Sequence, residues 1–401
     1  MANQKVMTNG LNEQDIQQEE LIYWAALGSM PGVGAVTCRQ LITHFGSPKS
    51  AWHALQSEAL NWTDVPITKR SRTALKNSIG HISLKKIEDQ LMRWHIGVIP
   101  FTSSLYPKQL NEIFNPPAVL FYRGNARLLE RKYMVAMVGA RDCSHYGRNV
   151  ANVLGAQLGR AGVVVVSGGA RGIDSYAHEG ALSGGGETIA VMGCGLEQAY
   201  PKSNGPLFRR IEESGGVLLS EYGPGIMPMG YHFPMRNRII TGLVKAVIVV
   251  EAKKRSGALI TADYAINEGR DVLAVPGDIL SDNFAGNHWL ISEGAALITK
   301  VDDVFSHCGW SYEKQASTRA LKKDSSHNGS GMISFTMEEH KILEALNHSD
   351  ETSLESLALS TNLPEGALHL SLLNLEMKRC IARTPTKGYI ILELGRNQFV
   401  H

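Results

Sequence analysis

The residues best able to do chemistry in this sequence lie in short glycine-rich or cationic segments. They are Gly139-Ala140-Arg141, Ser167-Gly168-Gly169-Ala170-Arg171-Gly172, Gly193-Cys194-Gly195, Arg236-Asn237-Arg238 and Lys253-Lys254-Arg255-Ser256-Gly257. Glycine lets backbone amides approach an anion closely, and arginine offers that anion a planar pair of donors. The chemistry is phosphate binding. Several phosphate-seeking tips on one rim imply a ligand with phosphates in a row, which a polynucleotide satisfies better than a mononucleotide.

The elements that must position these tips are apolar runs at 134–138, 163–167, 188–192, 217–220, 246–251 and 272–275. Helix-length segments such as 147–161, 172–183 and 257–269 separate them. Continuous apolar strands alternating with helices predict an α/β fold, a Rossmann-like doubly wound parallel sheet buried on both faces. Such sheets bind ligands beyond the carboxyl ends of their strands.

Within that frame the candidate DNA-binding residues are Gly139, Arg141, Ser167, Gly168, Arg171, Gly172, Lys202, Asn204, Phe233, Arg236, Asn237, Arg238, Ser256 and Gly257. A single-strand binder needs a cationic groove for the backbone and surfaces on which bases stack. Arg141 follows its strand directly, and Arg171 sits in a glycine-flanked turn, where it reads either as a phosphate ligand or as the ion-pair partner of Asp174. Lys202 and Asn204 follow the 193–195 turn and would reach a second phosphate. Arg236 and Arg238, two apart at a helix start, diverge: one faces DNA while the other pairs with a carboxylate such as Glu221 or Glu251. Phe233 reads as a stacking platform or a core aromatic, and Asn237 as a phosphate ligand or a helix cap. Ser256-Gly257 opens a helix whose amides form an anion site, while Lys253 and Lys254 also fit a solvated charge run.

Bulk composition limits the partners. The chain has 401 residues, 43% hydrophobic and 19% charged, with 40 Lys+Arg against 38 Asp+Glu and a formal charge of +2. A nucleic-acid footprint must therefore be a local patch. Cys38, Cys143, Cys194, Cys308 and Cys380 are dispersed with no Cys-x-x-Cys pair, which argues against a zinc site or a disulfide framework and suits a reducing cytosol. The polar, acidic start is not a signal peptide, and no run approaches the roughly 20 apolar residues of a membrane span, so a cytoplasmic protein is expected.

The expected organisation is a polar tail at 1–20, a small helical domain at 21–95, the Rossmann-like core at 96–310, a flexible linker at 311–332 and a compact tail at 333–401. In the helical domain, Pro31-Gly32-Val33-Gly34-Ala35 has the helix–hairpin–helix pattern, which holds a DNA phosphate or simply makes a tight turn. A second turn, Val65-Pro66-Ile67, lacks the glycines. The tail reads as helices at 337–346, 354–359 and 365–379, then a hairpin over 381–394 turning at Lys387-Gly388, the order of a winged helix. Its third helix is leucine-rich with no cation before Lys378, which favours protein contact or packing over base readout.

From about residue 97 to 304 the motifs resemble those of the DNA-processing protein A family (DprA, also called Smf). The resemblance is carried by Val138-Gly139-Ala140-Arg141 with Ser144-x-Tyr146-Gly147, and by Ser167-Gly168-Gly169-Ala170-Arg171-Gly172-Ile173-Asp174 with Ala177-His178. Further matches are Gly193-Cys194-Gly195-Leu196 with Tyr200-Pro201-Lys202-x-Asn204, then Phe233 to Leu243, Arg255 to Ala262 and Val275-Pro276-Gly277. Gly169 stands where the family often has Leu, and Ala258 where it often has Ser. The resemblance implies a sequence-independent single-stranded DNA binder that protects incoming strands in natural transformation and loads the recombinase RecA. It also implies a homodimer, with apolar surface near the last strand of the sheet and the tail as the contact.

The rival reading is a nucleotide-cleaving enzyme resembling phosphoribohydrolases, which carry Pro-Gly-Gly-x-Gly-Thr-x-x-Glu. Here Thr261 stands at the position of that carboxylate. Gly193-Cys194-Gly195-Leu196-Glu197-Gln198 lacks the third glycine of a dinucleotide fingerprint, and no P-loop occurs. His178 has no second ligand at metal spacing, and no nucleophile–base pair stands out. A non-enzymatic binder with no catalytic residue, metal or cofactor is expected.

Overall fold

The computed structural model describes residues 13–30, 33–310, 335–347, 352–378, 380–384 and 388–392. The first residues of the polar tail, Pro31-Gly32 of the hairpin, the linker at 311–332 and Lys387 of the wing turn lie outside the described residues.

A nine-stranded sheet forms the centre. Its strands are β1 (Gly97–Pro100), β2 (Val119–Gly124), β3 (Met134–Gly139), β4 (Val164–Ser167), β5 (Thr188–Met192), β6 (Val217–Ser220), β7 (Ala246–Glu251), β8 (Asp271–Ala274) and β9 (Ala296–Leu297). They lie in the order β1-β2-β6-β5-β4-β3-β7-β8-β9. From β6 to β9 every pairing is parallel. β2 runs antiparallel to both β1 and β6, so one edge departs from the all-parallel expectation. The chain builds outward from β3 to β6 and then returns to place β7 on the other side of β3. The reversal opens a crevice between the carboxyl ends of β3 and β7.

Strand alternation explains the double winding. Ala136, Val138, Val164, Val166, Val247 and Val249 share one core with Ile239, Ile240 and Leu243 of the helix His232–Leu243 and Ala258 and Ala262 of the helix Gly257–Asn267. Val135, Met137, Val165, Ile248 and Val250 turn to the opposite face. There they meet Leu154 and Leu158 of the helix His145–Arg160 and Ile173, Ala177 and Ala181 of the helix Ile173–Ser183. These last two helices touch backbone to backbone. A Cβ at Gly155 would stand 2.7 Å from the Ala177 carbonyl oxygen, and one at Gly180 would stand 2.5 Å from that of Asn152.

The N-terminal helices Glu13–Gly28, Ala35–Phe45, Pro48–Gln56, Lys69–Ser78 and Leu84–Arg93 pack against the sheet. Trp24, Leu27, Leu41 and Trp52 join a core with Phe121, Met192 and Leu218. Arg39 fastens the contact, donating to the Pro117 carbonyl at 3.0 Å and to Asn111 Oδ1 at 3.2 Å while its guanidinium lies 4.1 Å above the Phe101 ring centre. The described residues up to 310 accordingly form one compact unit and those from 335 onward a second.

The second unit contains the helices Met337–Asn347, Leu354–Thr361 and Glu365–Met377, followed by β10 (Ile381–Arg383) antiparallel to β11 (Tyr389–Ile391). Ile342, Leu346, Leu357, Leu368, Leu372 and Ile381 are in its core, and Lys378 pairs with the buried Glu339 at 2.7 Å. This is the winged-helix order. Leu370 and Leu373 of the third helix are exposed at 61% and 54%.

Candidate nucleic-acid interface

The walls of the crevice are tied together at its base. The Ala140 amide donates to the Glu251 carbonyl at 2.8 Å, joining the ends of β3 and β7. The wholly buried Glu251 carboxylate accepts from the Ser144 amide at 2.9 Å and from its hydroxyl at 2.6 Å. Ser144 in turn caps the helix His145–Arg160 through the Gly147 amide at 3.0 Å. The loop carrying Arg141 is thus held at both ends. Gly172 adopts φ +82°, and a Cβ there would run into the Ala140 carbonyl, so the β4 tip can press against the β3 tip only with glycine at this position.

Two adjoining recesses occupy the rim. The first, of about 620 Å³, is lined by Arg141, Phe233, Arg236, Asn237, Arg255 and Ser256 among others. Lys253, Lys254 and Arg255 project from it, exposed. Arg255 is in the left-handed region at φ 69°, uncommon for a residue with a side chain. The turn leads into the helix Gly257–Asn267, whose first residues, Gly257 and Ala258, line the recess; the buried Ser256 hydroxyl makes no hydrogen bond. The second recess, of about 450 Å³, shares Arg141 and Asp142 with the first and adds Arg148, Arg171, Tyr176 and Ser203. Arg141, Arg171, Lys202, Lys253, Lys254 and Arg255 are all exposed, and among the described residues none of them forms an ion pair. Unneutralised like charges on adjoining walls suit a polyanion.

The structure sorts the residues singled out from the sequence. Gly139, Arg141, Phe233, Arg236, Asn237, Ser256 and Gly257 line the first recess, and Arg171, Gly172 and Asn204 line the second. Lys202 is exposed beside Ser203. Asp174 does not pair with Arg171. It is buried, accepts from the Ala170 amide at 3.3 Å and sits in the field of Arg236; burial pushes its carboxyl above the ordinary range.

Four polar residues singled out from the sequence are committed to the protein, Arg238 through the carboxylate pairing expected of one of the two arginines. Arg236 is only 5% exposed and donates to the Gly168 carbonyl at 2.8 Å and to that of Val191, fastening its helix to the ends of β4 and β5. Burial lowers its pKa to about 10, against the opposing pull of Asp174. Arg238, also buried, is ion-paired with Glu221. So neither arginine of the pair stands out in solvent, because the helix carrying them packs across the strand ends. Asn204 donates to the Gly169 carbonyl at 2.9 Å and to Ser175 Oγ at 2.8 Å, stapling the β4 tip. Ser167 is wholly buried and donates to the Met137 carbonyl at 2.6 Å.

Phe233 is half-buried and already has company. Tyr200 stacks on it with ring centres 5.3 Å apart, and the Arg141 guanidinium lies 5.7 Å from its centre. Asn237 donates to Thr261 Oγ1 at 2.9 Å from within the helix, so it is not the cap. His178 is packed, its Nδ1 2.7 Å from Thr188 Oγ1 and its pKa pushed down to about 3 by burial and by Arg236. Arg148 and Tyr176 were not singled out from the sequence, and Tyr200 only as part of a family motif, since nothing local marks a side chain as facing a recess formed by distant segments.

The sequence profile of the family described as DNA recombination-mediator protein A matches residues 97–309, and that of the DprA winged helix domain matches residues 334–386. The DNA processing protein DprA of Streptococcus pneumoniae is 50% identical over 205 residues, 50% of this chain and 70% of the relative. Protein Smf of Escherichia coli is 42% identical over 262 residues, 64% of this chain and 68% of the relative. The X-ray structure of DNA processing protein A from Streptococcus pneumoniae superposes with a TM-score of 0.57 at 34% identity, over 74% of this chain and 98% of that one.

Proposed function

The chain belongs to the DNA recombination-mediator protein A family, known as DprA or Smf, and from that membership we propose that it binds single-stranded DNA without regard to sequence along the carboxyl rim of its sheet. The observation that carries this reading is the position of Arg141, shared by two adjoining recesses whose exposed cations have no ion-pair partner among the described residues. A strand laid over Arg141 would meet Lys253, Lys254, Arg255 and the helix amides on one side and Arg171 and Lys202 on the other. The bound strand would be protected in the cytoplasm and handed to the recombinase RecA during natural transformation, the role the family resemblance implies. The protein would act as a binder, with no bond made or broken.

Self-association is part of the same proposal. β9 ends the sheet, and Leu297 on it and Trp289 in the preceding helix are 48% and 41% exposed, an apolar edge that supports pairing of two copies. No described helix is long and apolar enough to cross a membrane.

The test is competition among single strands, duplex and free nucleotides across a salt series. Single strands should win, and log K should fall against log salt with a slope of about −0.7 per phosphate neutralised. Preference for duplex or salt-insensitive binding would overturn the reading. Mononucleotide competing as well as polymer, with release of free base, would replace it by the nucleotide-cleaving alternative.

A further inference from the structure

We propose that the second recess is a separate nucleotide subsite, in which Arg148, positioned by Tyr176, grips a phosphate one or more nucleotides beyond the one held at Arg141. The inference rests on the single-strand reading above and extends it to a residue outside the matched motifs.

Arg148 lies in the first turn of the helix His145–Arg160 and Tyr176 in the first turn of the helix Ile173–Ser183. The Arg148 guanidinium lies 4.9 Å from the centre of the Tyr176 ring. A ring face holds a cation without using its N–H groups, so they stay available to phosphate oxygens. A carboxylate partner would have consumed them. Asp142 and Glu179 line the same recess, yet neither forms an ion pair with Arg141, Arg148 or Arg171. Three arginines left unneutralised beside two available acids mark a site that completes its charge balance with an external anion. Because Arg141 and Asp142 belong to both recesses, the anion in the second is continuous with the strand in the first. The subsite is therefore reached only by oligonucleotides long enough to pass Arg141.

The test uses the full-length protein and labelled oligo-dT of increasing length, read by fluorescence anisotropy, with Arg148→Gln, Tyr176→Leu and Tyr176→Phe, and Arg141→Gln as reference. Arg148→Gln should weaken the longest oligonucleotides about tenfold, with the loss shrinking as they shorten, and should reduce the magnitude of the salt slope by about 0.7. Tyr176→Leu should act in the same direction and Tyr176→Phe should restore binding, a rescue that separates ring support from mere folding. Arg141→Gln should weaken every length. Wild-type affinity and slope for Arg148→Gln beside an impaired Arg141→Gln would overturn the subsite and leave the single-strand reading standing. A loss independent of length would also overturn it. If Arg141→Gln too behaves as wild type, both readings fall together.

Discussion

The carboxylate of Glu251 holds the Ser144 amide and hydroxyl at 2.9 and 2.6 Å across 107 residues of chain. It joins the end of β7 to the cap of the helix that follows β3, so the crevice mouth is fixed by a buried charge rather than by loop chance. Replacing Glu251 with Ala should orphan both donors and lower stability by about 2–4 kcal/mol. Denaturant titration reads the loss. Single-strand affinity should fall with it at temperatures where the variant remains folded, because the Arg141 loop loses an anchor.

Arg141 itself has no such structural duty. Charge reversal to Glu should weaken single-strand binding by about a hundredfold or more while leaving the melting temperature within a degree or two. Full binding by this variant would remove Arg141 from the interface.

Arg238 is the opposite case. Arg238→Met leaves Glu221 buried without its partner and should cost about 3–5 kcal/mol. The double change Arg238→Met with Glu221→Leu should recover most of that stability, which a thermal melt compares directly. An unstable double variant would show that the arginine contributes through more than the pair.

Histidine 178 sets an acid limb. Its folded pKa, about 3, lies below the ordinary 6.5, so the stability it contributes is present above pH 6.5 and is lost as pH falls toward 3. Each pH unit in that window costs about 1.4 kcal/mol, so near pH 5 the wild type should have lost about 2 kcal/mol on this account. His178→Gln keeps an amide donor for Thr188 and should flatten the dependence by that amount. Identical pH profiles for the two proteins would count against a buried neutral ring.

Leu297 offers a test of self-association. Leu297→Glu places a charge on the exposed edge strand and should convert dimer to monomer in sedimentation without loss of helix content. A wild type that sediments as a monomer at micromolar concentration would reject the dimer outright.

Much of the fold was legible because β3, β4, β5 and β7 are buried on both faces, and continuous valine and isoleucine runs admit few other placements. The edge was less legible: β1 has four residues of which two are buried, and nothing local to β2 tells that it runs antiparallel to both of its neighbours. At the site, glycine-flanked tips announced the rim, but sequence could not separate exposed arginines from buried ones. Arg141 lies in the turn after β3 and Arg236 inside the helix His232–Leu243, and neither segment by itself tells which guanidinium is covered. One is enclosed because Gly168 and Val191, far away in sequence, present carbonyl oxygens to it. Asn204 is engaged by the protein in the same way, its partners lying 29 and 35 residues upstream.

The bare glycine contacts between the helices His145–Arg160 and Ile173–Ser183 have a consequence for evolution of the groove. Arg148 rides on one helix and Tyr176 on the other, so their separation is gauged by main-chain atoms and cannot be retuned by trading side chains. A single methyl added at Gly180 must wedge the pair apart and spoil the grip at a distance, without touching any surface that nucleic acid meets.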